Sequence, residues 1–460
     1  MTAKAGSTLL LGAARAELTP DKDVILGGAT MNGKIRTGRI KDPLYASAAI
    51  LENKDCRLCI ITLDLLMITR KYVNLIREEL QARWGLDPQS VLIHATQNHK
   101  GPALGHFKIE EEYQGIPQHL SWLRGGDDRY DDYAVKQILL AVEEAMARRV
   151  PVEVGAGSGI QGNMAFNRRM VMRDGSIRMP GFDDPPGIVE PESRYLEGPM
   201  DPELGVVCFR DTDSVMQAML LSYTCHPVHE IRHPYISADW PGAWASEMRN
   251  SGGGACIPVV LNGACGNINP WDPYAETKAD DAGLMGETLA RTTREVIGRM
   301  SFAPDTILDY RIRTIPIPLR QLEPEQVEQA QQYIAKYPEP EWVDDTFVDL
   351  EWVFASALLS QQEQYERNPE FQYEIQVLRI GDTAIVGLPG EPFAEGGLAI
   401  KMQSPTFPTY IVHNTQYAGY IPTEAGFHRG GYESRIARME PKALDRIVAA
   451  SVEMLGEMFS

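Results

Sequence analysis

Apolar residues along the chain follow two spacings, one typical of buried strands and one typical of helices with a single apolar face. Residues 57–63 form a short continuous apolar run, whereas Val73, Ile76 and Leu80 recur at helical spacing within 72–84. The same patterns predict further strands at 90–94, 215–223, 257–261, 373–379 and 384–388, and further helices at 134–147, 279–299, 324–336, 352–367 and 442–459. This alternation predicts an α/β fold with mixed β-sheets and flanking helices. We expect one domain over residues 1–460, with a helical excursion at 319–367.

Composition narrows the class of protein and its partners. The chain carries 44 basic and 63 acidic residues, a net charge of −19, which argues against nucleic acid and against an anionic membrane surface as partners. The first twenty residues contain only a three-residue apolar run, and no stretch approaches the eighteen or so apolar residues of a membrane span. Six thinly spread cysteines are typical of free thiols in a reducing compartment. We therefore expect a cytoplasmic, soluble protein with a small-molecule partner.

Polar residues concentrate in loops that directly follow predicted buried strands. Four such loops, each taken with the end of its strand, lie within 94–102, 223–242, 257–273 and 386–397, and a fifth segment rich in Tyr, Gly and His spans 414–434. In open α/β sheets, ligands bind beyond the carboxyl ends of the strands. We therefore expect a binding site where these loops meet.

The loop at 223–242 contains three histidines, but they do not form a helical metal motif. Pro227 and Pro234 break any helix that could place His226, His229 and His233 on one face. His226 directly follows the strand and is the best placed to be a ligand. The other two histidines are expected at the surface.

The remaining loops each admit a functional and a structural interpretation. The glycine-rich turn that contains Asn267 could present N–H groups to an oxyanion or could simply reverse the chain. Glu391 precedes Pro392, so its carboxylate could cap a helix or bind a metal. Tyr417 and Tyr420 could belong to a site or could be buried tyrosines with satisfied hydroxyls.

Three familiar motifs are disfavoured. No helical pattern follows the glycine-rich stretch 155–162, which argues against a nucleotide-binding loop. The sequence also lacks a G-x-S-x-G nucleophile elbow. Cys56 and Cys59 form a C-x-x-C, but an offset of three on a predicted strand places their side chains on opposite faces.

Taken in order, these segments resemble the catalytic domain of the neutral/alkaline, non-lysosomal ceramidases over residues from about 10 to about 435. The matching segments are GAARAELTP at 12–20, ITLDLLMI with Asp64, TQNHKGP at 96–102, NRR at 167–169, His226 with ISADWPG at 236–242, PGE at 389–391 and TQYAGYIPT at 415–423. Each match is short, and the ordered set carries the resemblance.

The resemblance implies a single zinc ion held by two histidines, a glutamate and a tyrosine. Three of these ligands correspond to His226, Glu391 and Tyr420, whereas Gln97 stands in place of the first histidine. Gln97 could bind through its amide oxygen, His99 could take its place, or the site could hold another ion or none. Imidazole ligands suit zinc, so losing one weakens the site and could shift its choice of metal.

The resemblance also implies roles for the other groups. His99 and Arg168 correspond to residues that polarise the scissile carbonyl and stabilise the oxyanion. The implied chemistry is attack by metal-activated water on an amide or ester carbonyl, with Glu391 or His99 moving the proton. The candidates for substrate contacts are Asn267, Tyr417, Asp239 and Asp64.

The sequence therefore predicts a zinc-dependent, ceramidase-like hydrolase. It shows neither a signal segment nor the family's immunoglobulin-like C-terminal domain, so we expect an amide or ester of a small soluble substrate rather than ceramide. One alternative is a carbohydrate-active enzyme that pairs Glu391 with Asp239 or Asp64, because glycosidases use two carboxylates. Another is a metal-free binding protein, an alternative that rests on Gln97.

Overall fold

A computed structural model of the chain describes residues 8–21, 23–28, 31–180, 193–231, 233, 235–275 and 281–460. The strands are β1 Leu10–Glu17, β2 Arg39–Ile40, β3 Tyr45–Glu52, β4 Arg57–Leu63, β5 Val91–Ala95, β6 Val150–Pro151, β7 Glu153–Ile160, β8 Phe166–Asn167, β9 Met170–Met172, β10 Ile177–Arg178, β11 Ser193–Leu196, β12 Glu203–Arg210, β13 Met216–Tyr223, β14 Tyr235–Ile236, β15 Ile257–Asn262, β16 Ile268–Asn269, β17 Leu308–Pro318, β18 Glu370–Ile380, β19 Thr383–Gly387, β20 Glu391–Pro392, β21 Thr409–Val412 and β22 Tyr420–Ile421. The helices are α1 Arg70–Trp84, α2 Asp128–Ala147, α3 Asp239–Ser251, α4 Ala282–Ile297, α5 Pro324–Lys336, α6 Leu350–Arg367, α7 Ala394–Gln403, α8 Glu424–Arg429, α9 Tyr432–Ile436 and α10 Ala443–Met458. Short 3₁₀ helices occupy Pro88–Ser90 and Gln118–Arg124.

The strands and helices predicted from the apolar pattern are present, with shifts at their ends. The helix predicted at 134–147 begins six residues earlier as α2, where the Asp127 side chain caps it by accepting from the N–H of Arg129. Helix α1 ends at Gly85, whose φ of 66° suits glycine. The first residues of the helix predicted at 279–299, 279 and 280, lie outside the described residues. The predicted mixed α/β class is confirmed.

The three large sheets share one topology. In each, three antiparallel strands are followed by a helix that crosses over to a fourth strand, parallel to the third. The first unit runs β1, β3, β4, α1, β5, with β6 added at its edge; the second runs β7, β12, β13, α3, β15; the third runs β17, β18, β19, α7, β21. The fold is thus built from three copies of one arrangement.

The three sheets enclose one apolar core. Ile60 of the first sheet, Phe209 of the second and Ile385 of the third belong to the same buried cluster. Helices cover the opposite faces: α1 and α2 on the first sheet, α3 and α4 on the second, α7 and α10 on the third. Because both faces of β4, β15 and β19 are buried, their sequences are nearly continuously apolar rather than alternating.

The carboxyl ends of the parallel strands meet at the centre of the molecule. The Asn262 amide donates to the carbonyls of Thr96 and Cys225, at 3.0 and 2.9 Å, and so joins the loops after β5 and β13. The Asn414 amide donates to the carbonyl of Leu66 at 2.9 Å, which joins the loop after β21 to the loop after β4. These buried hydrogen bonds bring together the loops that carry the predicted site residues.

The predicted helical excursion at 319–367 is a hairpin of α5 and α6 inserted between two neighbouring strands. Pro318 of β17 is the register partner of Glu370 of β18, so the helices extend from the end of a continuous antiparallel ladder. Trp352 and Val353 of α6 pack with Trp122 in a separate apolar cluster. In the part of the chain described above, no helix combines the length and apolar character that a membrane crossing requires.

Candidate active site

A cavity of about 860 Å³ lies where the loops converge. The side chains of Gln97, His99, Arg168, Glu391 and Tyr420 line it, and we call these five the polar floor. The α5–α6 hairpin lines another wall of the cavity. The structure therefore brings all the residues implied as ligands or catalytic groups to one place, with His226 directly behind Glu391.

Glu391 and Tyr420 face each other because β20 and β22 pair in parallel, with these two residues in register. The N–H of Glu391 donates to the carbonyl of Gly419 at 2.9 Å. Gly390 has a φ of 70°, and a Cβ there would lie 2.5 Å from the same carbonyl oxygen. Only glycine fits at this position, and the close approach of the two backbone segments fixes the position of Glu391.

His226 and Glu391 form an unsatisfied pair. The Nδ1 atom of His226 lies 2.5 Å from the carbonyl oxygen of Cys265, and since a carbonyl only accepts, Nδ1 carries the proton. The Nε2 lone pair then faces Oε2 of Glu391 at 3.3 Å, and both atoms are buried without a hydrogen-bond partner. Two acceptors so close need a cation or a proton between them, and a histidine held in this way is typical of a metal ligand.

His99 presents a second imidazole lone pair to the cavity. Its Nδ1 donates to the carbonyl of Gly28 at 2.7 Å, and its Nε2 is buried without a partner. Burial, together with the neighbouring His226, lowers the pKa of His99 to about 4. Burial also holds the pKa of His226 well below its ordinary value. Both rings are therefore neutral near pH 7 and can act as ligands or as hydrogen-bond acceptors.

Arg168 is the fixed cation of the polar floor. Its Nε donates to Glu433 at 2.7 Å, and its Nη1 donates to Asn269 at 3.3 Å. Burial would lower the pKa of Arg168, but Tyr420 and Glu433 outweigh it and raise that pKa above its ordinary value. Its Nη2 is buried without a hydrogen-bond partner, so the two N–H groups of that nitrogen remain to donate to a substrate oxygen.

The side chain of Gln97 lies beside the Cys265 thiol and the Glu391 carboxylate. Its backbone has a φ of 67°, rare for a residue other than glycine or asparagine. The Cys265 thiol approaches its Oε1 at 3.5 Å, and its buried Nε2 makes no close hydrogen bond. Burial raises the pKa of Glu391, while the neighbouring Tyr420 hydroxyl and Gln97 amide oppose that rise. The Gln97 amide thus lies close enough to Glu391 to stabilise its ionised form.

The donor atoms of His226, Glu391 and Tyr420 can be compared with the requirements of a metal ion. Among the residues that the structure describes, no three His, Cys, Asp or Glu side chains cluster as a metal site. The unpartnered atoms of His226 and Glu391 nevertheless fit a cation, and the phenol of Tyr420 stands opposite Glu391 as a third donor. The donors present match the implied zinc site at three of its four positions.

The two candidate tyrosines occupy different places. Tyr420 stacks on His226, with ring centroids 6.4 Å apart, and stands opposite Glu391. Tyr417 also lines the cavity, where its ring makes an edge contact with Phe107 at 5.4 Å. Of the two, Tyr420 stands beside both His226 and Glu391, whereas Tyr417 lies against Phe107 in the wall of the cavity.

Asp64, Asp239 and Asn267 are outside the cavity lining. Asp64 accepts from the N–H of Tyr45 at 2.9 Å, and burial raises its pKa to about 7. Asp239 begins α3 and accepts from the N–H of Glu230 at 3.0 Å. Asn267 accepts from the N–H that begins α7 and donates to Glu395 at 2.9 Å. These three residues hold backbone and helix ends in place.

His229 is buried rather than at the surface, and this expectation was wrong. Its Nδ1 lies 3.0 Å from Oδ1 of Asp239, which ties the loop after β13 to the start of α3. Sequence reasoning also missed Glu433, whose carboxylate neutralises Arg168 and the fully buried Arg169. No local pattern marks Glu433, because its role depends on how α9 packs over the strands.

Solved structures with the same architecture include two ceramidases. The neutral ceramidase from Pseudomonas aeruginosa has a TM-score of 0.71 and 18% sequence identity, over 98% of this chain and 74% of that chain. A ceramidase complexed with C2 has a TM-score of 0.72 and 17% identity, over 98% of this chain and 75% of that chain. No protein-family model and no curated protein matches the sequence. At such identities the likeness shows the fold, which is that of the neutral ceramidases.

Proposed function

From this fold we propose that the chain is a hydrolase that cleaves an amide or ester bond of a small substrate in the cavity. The observation that supports this most strongly is the buried pair of acceptors, Nε2 of His226 and Oε2 of Glu391, 3.3 Å apart. Beside it, Arg168 offers a free N–H group to a developing oxyanion. The fold shared with amide-cleaving ceramidases supports the same class of reaction.

We further propose that His226, Glu391 and Tyr420 hold a metal ion, zinc being the ion that the resemblance implies. When bound, such an ion polarises a carbonyl and lowers the pKa of water. His99 is the nearest further nitrogen donor, because its Nε2 is free and its ring lies 5.7 Å from that of His226. Gln97 supports the site as a donor to Glu391 rather than as a ligand.

The polar floor supplies the remaining steps of the proposed hydrolysis. Arg168 donates Nη2–H to the carbonyl oxygen and stabilises the negative charge that forms there. In a site with these three ligands, the Nε2 lone pair of His99 is left to accept a hydrogen bond from the attacking water, which it orients. Glu391, whose pKa is raised by burial, takes the proton from that water and returns it to the leaving group.

The two alternatives receive less support from the geometry. A carbohydrate-active enzyme needs two carboxylates facing one bond, and neither Asp64 nor Asp239 lines the cavity. The other acids of the lining, Glu110 and Glu351, are already close to arginines. The hypothesis of a metal-free binding protein rests on Gln97 alone, whereas the unpartnered atoms of His226 and Glu391 argue for a bound cation.

Two measurements test the proposal separately. Protein purified without added metal or chelator is analysed for zinc and screened against small amides and esters, beside Glu391→Gln and the matched control Glu395→Gln. We expect zinc and turnover in the unchanged chain and the control, and loss of both in Glu391→Gln, with turnover down about a hundredfold or more. Undiminished turnover by Glu391→Gln would contradict the hydrolytic role of this site.

Replacing Gln97 by histidine tests the metal proposal alone. Histidine tolerates the left-handed backbone better than most residues and restores the missing imidazole. We expect Gln97→His to bind zinc about tenfold tighter or better in competition with a chelator. An unchanged or weaker affinity would show that this position does not face the ion.

A further inference from the structure

Basic residues outnumber acidic residues in the lining of the cavity although the protein as a whole is acidic. The net charge of the chain is −19. Five basic and three acidic residues nevertheless line the cavity, namely Lys108, Arg168, Arg320, Arg435 and Arg438 against Glu110, Glu351 and Glu391. An excess of positive charge in one concave place attracts anions, because the surrounding low-dielectric walls focus the field.

Protein carboxylates already compensate two of the arginines that line the cavity. Arg438 is ion-paired with Glu110 and donates to Gln364 at 2.6 Å. Arg435 lies 3.8 Å from Glu351, and more than half of each side chain is exposed to solvent. These two cations have partners of their own, so neither calls for a charge on the substrate.

Arg320 differs from Arg435 and Arg438 in its surroundings. Its side chain is partly buried, and its Nη1 donates to the carbonyl of Ser434 at 3.0 Å. The guanidinium lies 5.2 Å from the centre of the Phe427 ring. Within the described ranges it forms no ion pair, and burial lowers its pKa with only the charge of Glu323 acting in the opposite sense. A partly desolvated arginine that lacks a carboxylate is an incomplete site.

The backbone holds this cation in place beside an apolar wall. The N–H of Arg320 donates to the carbonyl of Arg438 at 2.8 Å, so the segment cannot move freely. Just beyond it, the α5–α6 hairpin offers apolar side chains to the same cavity, among them Leu322, Ala330, Leu350, Phe354 and Leu358. A ligand that fills this region meets both an apolar surface and one uncompensated charge.

We propose that the substrate carries a carboxylate that binds Arg320 and an apolar portion that packs along α5 and α6. One uncompensated guanidinium matches one negative charge, and its planar fork suits a carboxylate. The inference rests on the proposed function, since it describes the substrate of that hydrolase. It predicts that acylated amino acids are preferred to neutral amides of the same size.

The test is binding, measured without turnover. Two probes are titrated by calorimetry into the Glu391→Gln chain: N-hexanoylglycine, which carries a carboxylate, and the neutral N-hexanoylglycinamide. We expect the anion to bind about tenfold tighter than the amide, the effect of one charge-assisted hydrogen-bonded pair. Adding Arg320→Gln should abolish this preference, and adding Arg320→Lys should restore part of it. Adding Arg435→Gln, the control for a compensated arginine, should change the preference less than twofold.

Each outcome is informative. Equal binding of the two probes, including no measurable binding of either, would overturn the inference, as would a preference that survives Arg320→Gln. A preference that depends on Arg320 in a chain that hydrolyses nothing would leave the inference standing and remove the proposed function. Hydrolysis of neutral amides without any anion preference would leave the proposed function standing and remove the inference about Arg320.

Discussion

His94 illustrates how a single buried residue makes the whole fold sensitive to pH. It lies at the end of β5 with no exposed surface. Its Nδ1 donates to the carbonyl of His413 at 2.6 Å, and its Nε2 accepts from the N–H of Asn262 at 3.1 Å. Burial lowers the pKa of His94 to about 3. A second ring proton would point at the Asn262 N–H, so the folded state keeps this imidazole neutral.

Acid should therefore destabilise the protein through His94. Between its unfolded pKa near 6.5 and its folded pKa of about 3, the unfolded chain binds a proton that the folded chain excludes. The free energy of unfolding should then fall with decreasing pH, by about 1.4 kcal/mol per pH unit from this residue. Urea unfolding at pH 7.5, 6.0 and 5.0 should show a shallower fall in His94→Gln. The exposed His119→Gln serves as control, and an equal slope in all three proteins would contradict the assignment.

At the scale of single elements, the apolar pattern identified strands and helices well because it reflects burial directly. The strand predicted at 57–63 and the helix predicted at 324–336 have the observed bounds. Two-residue strands such as β20 and β22 leave no periodic signal, and yet they place Glu391 opposite Tyr420. The resemblance identified both residues in advance, whereas their contact depends on backbone pairing between distant loops.

The β20–β22 pair should be unusually intolerant of a side chain at Gly390. Gly390→Ala would force a left-handed φ on alanine, at about 1–2 kcal/mol, and would drive Cβ against the Gly419 carbonyl. The clash should lower the free energy of unfolding by about a further 1–3 kcal/mol. We therefore expect Gly390→Ala to unfold at a lower temperature than Gly175→Ala. Gly175 is the matched control, because its φ is 87° and a Cβ there meets nothing within 4 Å. Thermal denaturation measures the loss of stability, and hydrolysis rates measure the effect on the active site. Equal stability of the two variants would contradict the clash.

For the whole molecule, the sequence indicated an α/β class but not the three-unit architecture. The three units share topology without a visible sequence repeat, because both faces of each sheet need only apolar residues and many residues satisfy that need. The convergence of their loops was foreseen in principle, from the polar clusters that follow buried strands. The turning of Gln97 toward Glu391 and the neutralisation of Arg168 by Glu433 could not be foreseen, since both depend on packing between distant segments.

The shared core predicts that the three units unfold together. Phe209 is fully buried in the cluster that all three sheets supply, and Phe209→Ala should cost about 3–5 kcal/mol. If the predicted single domain over 1–460 holds, circular dichroism and tryptophan fluorescence should still report one coincident transition, at a lower temperature. The control Ile160→Ala alters an exposed residue of the same sheet, 79% accessible, and should leave that temperature nearly unchanged. Two separated transitions in Phe209→Ala would contradict the shared core. The second unit would then unfold by itself, because only an independent unit can lose its packing while the other two sheets keep theirs.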